Sequence, residues 1–213
     1  RSRVGSEMCR RARAGFMIQR LISVLAALLL CGALAAQDAK PDALAMYRSG
    51  SFEQAIEICL AEISASPANL ESHVVLCWAL VQAGRYEEAR SWAEKGRKIS
   101  WYDPRLIEIQ GEAYYYLGRN DQSIRLFQEY LSYAPNGSRI SIVYWFMGEI
   151  YLRQYRFRNA DMAFSTAVHL EPLNSRWWVR LGYAREMARE WRWSLEAYNK
   201  AIELDSSLSD AVR

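Results

Sequence analysis

Gly84-Arg85-Tyr86-Glu87-Glu88-Ala89 is one of five copies of a single pattern. Gly50-Ser51-Phe52-Glu53-Gln54-Ala55 precedes it by 34 residues, and Gly118-Arg119-Asn120-Asp121-Gln122-Ser123 follows it by 34. Tyr155-Arg156-Phe157-Arg158-Asn159-Ala160 comes 37 residues later and Arg189-Glu190-Trp191-Arg192-Trp193-Ser194 another 34 after that, so a three-residue insertion falls near Gly137-Ser138-Arg139. Self-similarity at a fixed period marks a chain of stacked supersecondary units. Five units account for residues 36–208, with bounds 36–69, 70–103, 104–137, 141–174 and 175–208.

Each unit reads as two amphipathic helices around a short turn, because apolar residues recur at spacings of three and four on both sides of it. In the fourth unit Tyr144, Met147, Gly148 and Tyr151 mark the first helix, and Ala160, Phe164, Ala167 and Val168 mark the second. Pro67, Pro135 and Pro172 stand at equivalent unit ends, where a residue that cannot continue a helix is useful. Small residues at Ala55, Ala89, Ser123, Ala160 and Ser194, with Gly111, Gly148 and Gly182 opposite, predict helix backbones in close approach.

The pattern resembles the tetratricopeptide repeat family, whose signature of Trp, Leu-Gly and Tyr followed by Ala, Phe and Pro is matched best by the fourth unit. The fifth contributes Trp178, Leu181, Gly182, Tyr198 and Ala201. Three departures stand out. Pro41 delays the first helix of unit one to about Asp42, unit two has Trp101 and Pro104 in place of a closing Pro, and Arg185 replaces the usual Tyr in unit five. The resemblance implies an all-α, right-handed superhelical solenoid of helix-turn-helix repeats. Such arrays generally finish with a solvating helix, whereas residues 209–213 supply at most the start of one; truncation is one expectation, and an exposed apolar end covered by a partner or second copy is the other.

The chain of 213 residues is 51% hydrophobic and 24% charged, which excludes wholesale disorder. Its net charge of +3 is misleading. Residues 1–36 hold six arginines against the single acid Glu7, and the remainder has 21 basic and 23 acidic residues, no footprint for a phosphate backbone. Nucleic acid is therefore not an expected partner. From Met17 to Gln37 a short basic start, an apolar run from Leu21 to Leu30 and small residues at Ala33, Ala35 and Ala36 form a signal-peptide pattern. Export with cleavage before Ala36 or Gln37 is expected, placing the chain in the periplasm or cell envelope of a bacterium. A retained anchor over residues 18–36 is the alternative, though short for a bilayer core of about 30 Å, and lipidation at Cys31 is disfavoured by Leu30 before it. Met17 is the expected initiator, with Met8 the other candidate and residues 1–16 upstream sequence.

No catalytic constellation is read. His73 and His169 stand in different units and cannot meet where only adjacent repeats touch; no zinc spacing, phosphate loop or nucleophile elbow occurs, and no metal or cofactor is expected. Cys59 and Cys77 fall on neighbouring helices, so a disulfide is one expectation and two buried thiols the other. The resemblance further implies a concave face lined by the first helix of each unit and suited to an extended peptide. Carried onto this chain, that face presents Tyr47, Trp78, Tyr115, Trp145 and Tyr183 as an aromatic ladder, one per unit, with Tyr116, Arg153 and Arg176 beside it. The family's Lys and Asn set for a terminal carboxylate is missing. A non-enzymatic protein-interaction scaffold is the leading expectation. Self-association through the fifth unit with Trp191 and Trp193, and glycan binding on aromatic platforms, are the alternatives.

Overall fold

A computed structural model describes residues 42–210. The leader over residues 1–36, the anchor alternative within it, and residues 211–213 lie outside the described residues. Within them run ten α-helices: α1 (Ala43–Arg48), α2 (Phe52–Ala65), α3 (Leu70–Gln82), α4 (Tyr86–Ile99), α5 (Pro104–Tyr116), α6 (Asn120–Tyr133), α7 (Ile140–Arg153), α8 (Phe157–Leu170), α9 (Ser175–Met187) and α10 (Trp191–Leu204), followed by a 3-10 turn, Ser206–Asp210. The described residues contain no strand, and the all-α solenoid expected from the repeat is the fold. Substantial contacts run only between helices adjacent in sequence, or between the first helices of neighbouring units: α1 with α3, α3 with α5 and α5 with α7.

Local chemistry sets the helix starts. Asp42, Asn69 and Asp103 cap α1, α3 and α5, their side-chain oxygens accepting from the backbone N–H of Leu44 (2.9 Å), Ser72 (3.3 Å) and Arg105 (2.9 Å). Pro104 opens α5 where its missing N–H costs nothing. The turn inside each unit is equally regular. Arg85 N–H donates to Leu80 O at 2.8 Å, and Ser51, Arg119, Arg156 and Glu190 make the same bond to Met46, Tyr114, Tyr151 and Arg185. This closure places the residue before it in the left-handed region. Gly50, Gly84 and Gly118 take φ of 81°, 74° and 72°, but units four and five put Tyr155 (58°) and Arg189 (64°) there. A side chain in that conformation costs about 1–2 kcal/mol, partly offset by the unfolded-state freedom a glycine adds. The double variant Tyr155→Gly/Arg189→Gly is therefore expected to be more stable by about 1 kcal/mol in a urea melt. An unchanged midpoint would mean that the two side chains contribute as much as their backbone strain costs.

Size complementarity fixes how the two helices of a unit meet. A Cβ on Gly111 would lie 2.8 Å from the Phe127 ring, on Gly148 2.7 Å from Phe164, and on Gly182 2.6 Å from Tyr198. Where the first helix supplies glycine, the second supplies an aromatic ring. At the equivalent places unit one has Ala43 and Cys59, and unit two Cys77 and Ala93, so a larger residue on one helix goes with a smaller one on the other. Ser123 and Ser194, standing where other units have Ala, donate their hydroxyls to Gly111 O and Gly182 O at 2.8 and 2.9 Å.

Cys59 and Cys77, the pair considered for a bridge, are free thiols in the structure and both are buried. Cys77 Sγ donates to Ala89 O at 3.6 Å. Burial pushes the Cys59 thiol up to about 12 and raises that of Cys77 as well, which keeps both in the unreactive protonated form. The core itself forms two apolar clusters that share α5. Leu106, Ile109 and Ala113 belong to the cluster of the first units, while Ile107 and Tyr115 belong to that of the last.

Candidate functional site

The first helices of units one to three, with the end of α6 and the inserted loop after it, enclose a pocket of about 430 Å³. Tyr47 from α1 and Trp78 from α3 form one wall, their ring centroids 5.8 Å apart. Glu108 and Glu112, one turn apart on α5, also line it; Tyr130, Ala134, Gly137, Ser138 and Arg139 close the other side. The three-residue insertion thus builds this wall. The Arg139 N–H donates to the Tyr130 hydroxyl at 3.3 Å, holding the loop against α6.

Buried acids in the pocket outnumber the base that serves them. Arg139 donates to Glu108 Oε1 at 2.8 Å and to Glu112 Oε2 at 3.0 Å, so one guanidinium serves two carboxylates. The glutamate side chains are only 3% and 7% exposed, whereas that of Arg139 is 47% exposed. Burial pushes the Glu112 carboxyl up to about 7, with the charge of Glu108 adding to the rise and Arg139 only partly offsetting it. Glu108 is raised by burial too, against the pull of Arg139. At the rim, Arg105 is shared between Glu71 and Asp103, at 2.8 Å each, again one arginine to two carboxylates.

The aromatic ladder expected along this face is divided. Tyr47 and Trp78 pair at one end, while Tyr115, Tyr116, Trp145 and Phe146 cluster at the other, with Trp145 stacked on Trp177 at 6.5 Å. Tyr115 is 6% exposed and belongs to the core between α5 and α7, which corrects its reading as a ligand contact. Arg153 lies 4.0 Å over its ring and donates to its carbonyl, covering it from solvent. Trp145 is half-buried among these rings, its indole N–H buried without an acceptor. Tyr116 stacks on Tyr86 at 4.5 Å and stays exposed, as do Tyr183 and Arg176. Arg139, Tyr130 and Gln82 complete the pocket and were not singled out by the repeat pattern; the one signal for Arg139 was the break in spacing beside it.

Among the described residues no group of three or more His, Cys, Asp or Glu is placed to hold a metal ion, and no helix is long and apolar enough to cross a membrane. The model of the tetratricopeptide repeat matches residues 42–104 and 147–209. The chain belongs to the tetratricopeptide repeat family. The two matches flank residues 105–146, the stretch that carries Arg105, Glu108, Glu112, Tyr130 and Arg139 of the pocket. A search of the curated proteins finds no match. Among solved structures, a crystal structure of MamA aligns with a TM-score of 0.69 at 18% identity, over 80% of this chain and 98% of that one. MamA from residue 41 to its end, from Desulfovibrio magneticus RS-1, aligns with a TM-score of 0.69 at 18% identity over 78% and 93%. At such identity the likeness concerns the tetratricopeptide repeat fold. The family is one of protein-interaction scaffolds, and this chain has that architecture.

Proposed function

We propose that the chain is a non-enzymatic adaptor, exported to the cell envelope of a bacterium, that holds an extended segment of a partner protein along the face built by α1, α3, α5 and α7. The observation that carries this reading is the pocket spanning three repeats, with an aromatic wall and polar groups directed into one concavity, the usual form of a specific binding site. The pattern from Met17 to Gln37 supports export. Trp78→Ala removes half of the aromatic wall from a half-buried position, so it is expected to abolish capture of the partner from cell-envelope extracts while leaving the helical circular-dichroism signal intact. Equal capture by both proteins would place the partner elsewhere.

A second reading has its own observation. Trp191, Trp193 and Leu195 on α10 are 64%, 51% and 61% exposed, an apolar surface suited to self-association. Light scattering that rises with concentration, and falls back to monomer in Trp191→Ser/Trp193→Ser, is the outcome that would favour it. A monomer at all concentrations would remove it.

A further inference from the structure

We infer that the pocket between α1, α3 and α5 receives a cationic side chain, arginine or lysine, of the segment bound along the groove. The inference rests on the adaptor reading and adds the chemistry of one contact. Three features carry it together. The cavity stays open with Arg139 already in place, because Arg139 is one of its walls. Its buried acids outnumber the cation that serves them, Glu108 and Glu112 against Arg139 alone, and the neighbouring Arg105 is committed to Glu71 and Asp103. An incoming cation replaces the proton that burial beside Glu108 otherwise keeps on Glu112, so that two carboxylates face two cations. An anion would meet the charge of Glu108, and a neutral group would leave that proton in place. Finally, Tyr47 and Trp78 supply π-surfaces, and tyrosine and tryptophan rings favour cations.

The polarity is the reverse of a carboxylate clamp. It also explains why so polar a floor persists beneath aromatic walls. Apolar residues of similar size would pack α5 more cheaply than two buried acids sharing one arginine.

The test uses the immobilised full chain and three pools of capped nonapeptides, randomised at eight positions and fixed at the centre as arginine, citrulline or norleucine. Citrulline keeps the shape of arginine and loses its charge. Arginine peptides are expected to be retained at least about tenfold better than either neutral pool, the size of one desolvated charge pair with its cation–π contact. Glu112→Gln, which keeps the shape of the floor, is expected to reduce that preference to below about threefold without weakening the citrulline pool. Equal retention of all three pools, lowered alike by Trp78→Ala, would overturn the cationic pocket and leave the peptide groove standing. Retention of none of them would overturn both.

Discussion

Phe164→Ala is expected to cost about 3–5 kcal/mol, the upper range for emptying a core aromatic. Phe164 is fully buried, and its ring fills the space that Gly148 on α7 leaves open; a Cβ there would lie 2.7 Å from the ring. Truncation therefore leaves a void at that crossing, because Gly148 has no side chain to extend into it. Because each unit is held by its neighbours, the loss also weakens the link through which α9 and α10 are supported. Urea denaturation is expected to show an earlier transition for the last two units, separate from that of the first three. A single transition shifted by less than about 1 kcal/mol would mean that α7 and α8 close around the void.

The pH dependence of stability is the second large effect. Unfolded, the Glu112 carboxyl titrates at the ordinary 4.5; folded, it is pushed up to about 7 by burial and by Glu108. Between those values the folded chain holds a proton that the unfolded chain has released, so stability falls as pH rises across this window and is level above it. The full difference is about 3 kcal/mol as an order of magnitude, and Glu108 contributes with the same sign. Acids held below their usual range, such as Glu71 and Asp103 beside Arg105, act oppositely but lose their contribution only below about pH 4.5. The chain is thus expected to melt at a lower temperature at pH 8 than at pH 5.5. Glu112→Gln is expected to remove most of that difference by stabilising the protein at pH 8 while leaving it almost unchanged at pH 5.5. A wild-type midpoint that rises between those values, or a slope unaltered by the substitution, would contradict the assignment.

The repeat architecture was legible because helix turns, close approaches and unit ends recur in register. The close approach of helices at Gly148 follows from spacing, and Asp42, where the first helix is expected to begin, is the residue that caps α1. The site was less legible for two physical reasons. A first helix here is flanked by its own partner and by both neighbouring units, so one step along α5 separates Tyr115, 6% exposed, from Tyr116, 45% exposed. Periodicity cannot resolve a difference of one residue on a helix covered from three sides. Arg139 belongs to an insertion, which by definition has no equivalent in the other units from which a position could be read. Its reach back to Glu108 and Glu112 appears only once the loop is folded against Tyr130.

The same chain of neighbour-to-neighbour contacts bears on how the protein forms. Every substantial helix contact is made with a segment close by in sequence, so no early part of the chain has to wait for its last residues before it can settle. Contact order is correspondingly low, which favours rapid acquisition of structure. A polypeptide emerging from a ribosome or a narrow pore, amino end first, can add one hairpin at a time to those already assembled. Apolar surface awaiting cover is then limited at each moment to the newest unit, which shortens the interval in which unfinished copies could stick to one another.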